Sequence, residues 1–282
     1  MAHHAPQCTI LNRFKPGSSN SADVTIVKFQ QPSQEEKIWV VRQINNATQE
    51  FKLLKLLRSA GVHVPQPLFL DASCRLAPAP YLILEFIDGM PEMKWADPVK
   101  NGRQIGLQLA KIHAVDSSQY NTSFLPGYTV NLKPDSGNPR EKPIRDVLLP
   151  NWPIEHQNAP TIVHGDLWPG NVLWRDGNLV SIIDWEDANL GDRLKDLAIC
   201  RFDHLFIFGR EAMQAITETY IENSSANLNM LPYWDLYAAL RALPVIPQWA
   251  AGWQESGRPE LNEEAIWNSH QWFVDQALAK IS

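Results

Sequence analysis

The chain has few cysteines and no long apolar run. Among its 282 residues there are three cysteines, Cys8, Cys74 and Cys200, which are widely spaced and form no C-x-x-C pattern. A disulfide framework or a structural zinc site is therefore not expected, and we expect the cysteines to be reduced thiols. The N-terminus has no apolar signal core, and no run of about 18 apolar residues follows it. These absences predict a cytoplasmic protein without a membrane partner.

Basic runs of the kind that bind nucleic acid are also missing. The formal net charge is -6, which disfavours nucleic acid and anionic membranes as partners. A hydrophobic fraction of 44% and a charged fraction of 20% are typical of a soluble globular protein. The length allows one large domain or two lobes around a shared cleft.

The first ninety residues are rich in strand signals. The stretches "CTILNRF", "ADVTIVKF" and "KIWVVRQI" predict three strands, and "HVPQPLFLD" and "APYLILEF" predict two more. Between them, "NNATQEFKLLKLLRSAG" has helical spacing, an asparagine at its start and Gly61 as its stop. We therefore expect five strands, with one helix after the third, in a lobe at residues 1–87.

The strand signal fades after this lobe. A helix is predicted from Asp97 and Pro98, and a Pro/Asn/Gly-rich connection covers roughly residues 117–158. After Leu194 the chain is helical and aromatic to its end. The prediction is an α+β fold with a larger, mainly helical lobe at residues 88–282.

The stretch "VHGDLWPGNVL" gathers polar side chains between two apolar segments. Asp166 and Asn171 flank a tight turn, and "GNLVSIIDWED" forms the second strand of a hairpin that ends at Asp184. One carboxylate and one amide oxygen can hold a hard divalent cation, and a second carboxylate can accept a proton from a hydroxyl. Alternatively, each residue occupies a turn because its side chain bonds the local backbone.

With "IIDWE" following it, "HGDLWPGN" resembles the motif pair of the aminoglycoside phosphotransferase and choline kinase superfamily. The resemblance implies a protein-kinase-like fold of two lobes with a small antiparallel sheet in the first, and ATP and Mg²⁺ as cofactors. It implies that Asp166 is the catalytic base, while Asn171 and Asp184 bind magnesium. His164 would brace the loop, and Asp196 would tie it down from a helix start.

The resemblance extends to the nucleotide site. The hinge "LILEFIDG" would bring the backbone of Glu85 and Ile87 to adenine, although an ordinary strand and turn have the same letters. The loop between the first two strands would approach the phosphates, or would be only a hairpin turn. Its residues are Gly17, Ser18, Ser19 and Asn20.

Arg42 stands where this family commonly has lysine. Strand alternation places Val40 and Arg42 on one face, so Val40 would pack on adenine while Arg42 reaches the phosphates. Glu50 lies on the apolar face of the following helix, where a carboxylate is costly without a partner. In the fold that this sequence resembles, Arg42 is the nearest plausible cation, so we predict a contact between Arg42 and Glu50. The alternative is that Lys28, on the neighbouring strand, takes the role of the family lysine.

The predicted activity is phosphorylation of a hydroxyl on a small molecule. Five tryptophans late in the chain either fill a helical core or present faces to a cation. The second possibility suits a choline-like amino alcohol or an amino sugar. The alternatives are an aminoglycoside-modifying kinase, a nucleotide-binding pseudoenzyme and a protein kinase, the last disfavoured because no "APE"-like segment follows "IIDWED". The tryptophans are Trp234, Trp249, Trp253, Trp267 and Trp272.

Overall fold

The computed structural model describes residues 7–16, 23–115, 120–127 and 130–281. The chain divides into two compact units. The first unit comprises Met1–Met90, Leu173–Arg175 and Val180–Glu186. The second comprises Pro91–Val172, Asp176–Leu179 and Asp187–Ser282. The first unit therefore combines the N-terminal segment with two short stretches from much later in the chain.

The first unit is built on a five-stranded antiparallel sheet with strand order β1-β2-β3-β5-β4. Val40, in the middle of β3, lies opposite Ile26 on one side and Leu84 on the other. The predicted strands and the predicted α+β fold class are confirmed. The strands are β1 (Thr9–Phe14), β2 (Asp23–Gln30), β3 (Glu36–Gln43), β4 (Pro67–Asp71) and β5 (Tyr81–Glu85).

Helix α1 (Ala47–Ser59) follows the third strand, as predicted. Its buried face includes Leu53, Leu54 and Leu57, which matches the apolar spacing in the sequence. Asn46 precedes the helix, but its side chain makes no capping hydrogen bond. Its backbone has φ −92° and ψ 24°, outside the extended region that capping residues adopt, and its Nδ2 donates to the Glu186 carbonyl at 3.3 Å. The expected asparagine cap is therefore wrong.

The hairpin that carries the second motif has the predicted form. Strands β7 (Val172–Arg175) and β8 (Asn178–Ile182) are joined through Asp176 and Gly177, which have φ of 53° and 68°. Positive φ at both central residues is the geometry of a tight two-residue hairpin turn, and Asp-Gly is a preferred pair there. The Ile182 N–H donates to the His63 carbonyl at 2.7 Å, which attaches the end of β8 to the rest of the first unit.

The second unit is mainly helical, as predicted. Short strands β6 (Thr161–Val163) and β9 (Asn189–Gly191) pair antiparallel beside the helices. Within the described ranges, no helix has both the length and the apolar character needed to cross a membrane. The helices are α2 (Pro98–His113), α3 (Lys142–Leu148), α4 (Arg193–Phe208), α5 (Arg210–Glu222), α6 (Leu231–Ala242), α7 (Ile246–Glu255) and α8 (Glu263–Leu278).

Helices α2 and α5 pack closely through glycine. A Cβ atom added at Gly106 would overlap the carbonyl oxygen of Ile216, so the two backbones touch at this point. The start of α2 is also well defined, because the Asp97 side chain accepts a hydrogen bond from the Lys100 N–H at 2.9 Å. The predicted N-terminus of this helix is confirmed.

The predicted connection at residues 117–158 contains regular structure in the part that is described. It contains α3 and two short 3-10 turns, Pro139–Glu141 and Leu149–Asn151. Each of these elements has a proline in its first turn, where the missing N–H costs nothing because that group has no partner inside the helix. The predicted Pro/Asn/Gly-rich connection therefore includes helical elements that its composition did not indicate.

Candidate active site

The loop that follows β6 is held by one buried carboxylate. Asp196, in the first turn of α4, accepts hydrogen bonds from the backbone N–H groups of His164 at 2.8 Å and Gly165 at 2.9 Å. The third contact is with His113 Nε2 at 3.2 Å. Burial alone would raise the pKa of Asp196, but the hydrogen bonds from His113 and the loop outweigh it and lower the pKa to about 2. Asp196 therefore stays ionised and fixes the loop, as expected for a structural residue.

Within the loop, local hydrogen bonds set the position of Asp166. The Asp166 N–H donates to His164 Nδ1 at 3.3 Å, and Asn171 Nδ2 donates to the Asp166 carbonyl at 2.9 Å. The indole of Trp168 lies over Gly170 so closely that a Cβ there would overlap the ring. These contacts hold the backbone of the loop, while the Asp166 side chain keeps 38% of its surface exposed.

A cavity of about 430 Å³ opens beside this loop within the second unit. Its wall is mostly aromatic and apolar, with the charged groups of Asp166, Asp203 and Arg241 among them. The volume lies within the range of small-molecule sites. The lining residues are Met93, Asp166, Trp168, Asp203, Phe206, Ile207, Arg241, Gln248, Trp249, Gly252, Trp253 and Ser256.

Asp203 and Arg241, which both line the cavity, form an ion pair. Arg241 Nη2 is 3.6 Å from Asp203 Oδ2, and Nη1 is 4.0 Å from Asp166 Oδ1. Burial raises the pKa of Asp203 to about 7, although the attraction of Arg241 lowers it. Neither residue is among the site residues predicted from the sequence. The available signal was a charge inside an apolar helix, "CRFDHLF" for Asp203 and "YAALRAL" for Arg241.

The first unit contains a separate charged cluster around Arg42. Its Nε donates to Glu50 at 3.1 Å, and its Nη2 donates to Asp184 at 2.6 Å and to Glu186 at 3.1 Å. The predicted contact between Arg42 and Glu50 is present, and both side chains are buried. Lys28, the alternative, instead pairs with Glu36 at 2.6 Å on an exposed part of the sheet.

One guanidinium in this cluster faces three carboxylates. Burial raises the pKa of Glu50 to about 7, even though the contact with Arg42 lowers it. Asp184 has φ of 64°, in the left-handed region that aspartate tolerates better than most residues. With all three acids ionised the cluster would carry an excess of negative charge, which a bound cation could balance.

The remaining predicted residues lie in or after the strands of the first unit. Val40 is half-buried in β3, and Glu85 ends β5 with its N–H donating to the Gln66 carbonyl at 2.9 Å. Ile87 follows β5, and across the described ranges its N–H makes no hydrogen bond to the backbone. The predicted phosphate loop, Gly17, Ser18, Ser19 and Asn20, lies outside the described residues.

Comparison with known proteins gives a family match over most of the chain. The model of a family described as "Phosphotransferase enzyme family" matches residues 26–243. Homoserine kinase from Methylocella silvestris is 29% identical over 164 residues, which are 52% of this chain and 50% of that protein. Acyl-CoA dehydrogenase family member 11 from Pongo abelii is 22% identical over 226 residues, 71% of this chain and 28% of that protein. The chain thus spans half or less of these relatives.

Solved structures share the fold. A macrolide 2'-phosphotransferase from Brachybacterium faecium superposes with a TM-score of 0.60 at 17% identity, covering 90% of this chain and 91% of that one. Amicoumacin kinase, solved in complex with AMP-PNP, Ca²⁺ and Ami, has a TM-score of 0.61 at 14% identity, covering 96% of this chain and 88% of that one. The kinase-like fold predicted from the motifs is therefore confirmed.

Proposed function

The chain belongs to the phosphotransferase enzyme family, and from this premise we propose that it transfers the γ-phosphoryl group of ATP to a hydroxyl of a small molecule. The predicted family resemblance is confirmed by the match. The observation that carries the proposal is the position of Asp166 on the wall of the 430 Å³ cavity, on a loop fixed by Asp196. A half-exposed carboxylate on a fixed backbone beside a cavity of that size suits a catalytic base.

In the proposed step, the hydroxyl oxygen of the acceptor attacks the γ-phosphorus of ATP. The bond between that phosphorus and the bridging oxygen breaks, and ADP leaves with the bonding electrons. The hydroxyl proton passes to Asp166. Because little covalent chemistry is left to the protein, its contribution is positioning and charge stabilisation.

Asn171 and Asp184 are proposed to hold Mg²⁺, which would neutralise charge developing between the phosphates. Asn171 engages its Nδ2 with the Asp166 carbonyl, which leaves its Oδ1 as the atom to face a cation. Asp184 belongs to a cluster with more carboxylates than cations. Among the described residues no group of three or more His, Cys, Asp or Glu is arranged to hold a metal. Magnesium is usually bound by one or two protein carboxylates together with water and phosphate oxygens.

We assign the nucleotide to residues 1–87 and the acceptor to residues 88–282. Arg42 would bind the phosphates while its contact with Glu50 holds its side chain in place. Val40 would pack on adenine, and the Glu85 carbonyl and the Ile87 N–H would meet the edge of the base. The loop Gly17, Ser18, Ser19 and Asn20 would cover the phosphates.

The acceptor expected from the tryptophans was cationic, either a choline-like amino alcohol or an amino sugar. Three of those tryptophans have one of the chain's own arginines over the ring: Arg140 over Trp267 at 4.4 Å, Arg210 over Trp272 at 4.3 Å and, at a longer 6.0 Å, Arg258 over Trp253. A polycationic aminoglycoside would need several acids in the cavity wall; the wall has two, Asp166 and Asp203, and Arg241 lies beside both of them and offsets part of their charge. A pseudoenzyme is disfavoured because Asp166, Asn171 and Asp184 are all present.

The test is an assay of ATP consumption with a panel of small alcohols. Asp166→Ala should abolish transfer while Mg-ATP binding persists, because the side chain accepts a proton and does not hold the metal. Asp184→Ala should weaken both the apparent magnesium affinity and turnover. Asp146→Ala, which removes an exposed carboxylate on α3, is the control and should change neither. Near-native transfer by Asp166→Ala would contradict the proposal.

A further inference from the structure

Arg241 has hydrogen-bond donors that no residue in the described part of the chain satisfies. Its contacts with Asp203 at 3.6 Å and Asp166 at 4.0 Å are longer than hydrogen bonds. Its Nε is buried and has no hydrogen-bond partner in the described part of the chain. Leaving a buried donor unsatisfied costs about 1–3 kcal/mol, and more for a charged group. Arg241 also lines the cavity, where 30% of its side-chain surface is exposed, so a ligand there can reach its guanidinium.

The surroundings of Arg241 indicate what those donors would bind. Among the lining residues that the structure describes, Arg241 is the one cation, and the carboxylates of Asp203 and Asp166 beside it leave its donors without a hydrogen bond. Trp249 and Trp253 give the cavity an aromatic wall, and Trp249 stacks on Phe206 with ring centroids 5.4 Å apart. A cationic acceptor would bring a second positive charge close to the guanidinium. An acceptor with an anionic end and an apolar body would match both features of the wall.

Building on the phosphotransferase activity proposed above, we propose that the acceptor is a hydroxylated carboxylic acid. Its carboxylate binds the Arg241 guanidinium, its apolar body lies against Trp249 and Trp253, and its hydroxyl faces Asp166. The fork of the guanidinium is suited to paired hydrogen bonds with a carboxylate. The reaction then yields a phosphorylated hydroxy acid, ADP and a proton, and the carboxylate itself is unchanged.

A matched set of three probes tests this assignment. The probes are meta-(hydroxymethyl)benzoate, the corresponding benzamide and the corresponding benzylamine, which share an aromatic alcohol and differ in the charge at the other end. Their binding to the full chain is measured by titration calorimetry, with and without Mg²⁺ and a nonhydrolysable ATP analogue. We expect the benzoate to bind at least about tenfold more tightly than the benzamide, and the benzylamine to bind most weakly.

Variants then identify the residue responsible. Arg241→Gln should remove the preference for benzoate over benzamide. Arg241→Lys should retain part of it, because lysine keeps the charge and loses the fork. Arg210→Gln is the control, because Arg210 is an exposed arginine of the same unit that covers Trp272 and does not line the cavity. It should leave the preference unchanged. Circular dichroism checks that each variant is folded. If Arg241→Gln is not folded, the test uses Arg241→Lys, which should show a smaller preference for benzoate than the unaltered protein.

Several results would overturn the assignment. These are equal or tighter binding of the benzamide or the benzylamine by the unaltered protein, no binding of any probe, or a benzoate preference that survives in Arg241→Gln. Failure of the phosphotransferase proposal looks different. In that case the benzoate preference depends on Arg241, yet no phosphoryl group reaches any alcohol in the panel.

Discussion

Replacing Asp203 with asparagine should stabilise the protein at alkaline pH. Asp203 is buried, and the cost of burying its charge raises its pKa from 3.8 to about 7. The folded state therefore favours the protonated form. The stability that this preference contributes is complete below pH 3.8 and is lost as the pH rises to about 7. Above pH 7 the folded protein carries a buried carboxylate that asparagine would replace with a neutral amide of similar shape.

The gain in stability expected for Asp203→Asn can be estimated from the pKa shift of Asp203. A rise from 3.8 to about 7 corresponds to roughly 4 kcal/mol of free energy of unfolding as an upper limit. Because Asp203 lines a cavity that admits solvent, the real penalty is smaller, and we expect on the order of 2 kcal/mol at pH 8. Arg241 loses its contact with Asp203 in the variant, but at 3.6 Å that contact is not a hydrogen bond.

The assay is urea unfolding of the protein and of Asp203→Asn at pH 5, 6, 7 and 8. The stability difference in favour of asparagine should grow from pH 5 to pH 7 and then level off. Asp146→Asn, which changes an exposed carboxylate, should show no such pH dependence. A difference that stays constant across this range, or an asparagine variant that is less stable at pH 8, would refute the account of Asp203.

Three further predictions use the same unfolding assay. Arg42→Ala should lower the free energy of unfolding by about 3–5 kcal/mol, because it leaves the buried Glu50 without its partner. It should also lower turnover far more than Lys28→Ala does. A larger loss of turnover in Lys28→Ala would instead give Lys28 the role of the family lysine. Gly106→Ala should lower the free energy of unfolding by about 1–3 kcal/mol, because the new Cβ overlaps the α5 backbone. An unchanged urea midpoint would show that the two helices can move apart without loss of stability. Asp196→Asn should lower the free energy of unfolding by about 1–3 kcal/mol and should also lower turnover. The reason is that an amide has one acceptor oxygen, whereas the two carboxylate oxygens each accept one loop N–H. An unchanged kcat would show that these hydrogen bonds are not needed to position the loop.

Elements with a clear period were predictable from the sequence. The β7–β8 hairpin was marked by an Asp-Gly turn between apolar runs, and α1 by leucines three and four residues apart. The contact between Arg42 and Glu50 could be predicted because the periods of a strand and a helix each assign a face, a buried carboxylate needs a partner, and the family resemblance makes Arg42 the nearest cation.

Features that depend on distant segments were not predictable. The pair of Asp203 and Arg241 comes from two helices, and no local pattern brings them together. Strand β9 has three residues, too few for a periodic signal, and α3 was hidden by its prolines. The tryptophans divide in a way that composition cannot show, since Trp234 is core while Trp249 and Trp253 line the cavity.

The makeup of the first unit has a consequence for its synthesis. Its N-terminal segment ends at Met90, but the unit is complete only when Val180–Glu186 has been made. At about 5–20 residues per second, a ribosome takes roughly 5 to 20 s to cover the intervening chain. During that interval Arg42 lacks Asp184, and the His63 carbonyl lacks the Ile182 N–H. Until Val180–Glu186 has been synthesised, these groups of the nascent first unit are therefore accessible to solvent or to chaperones.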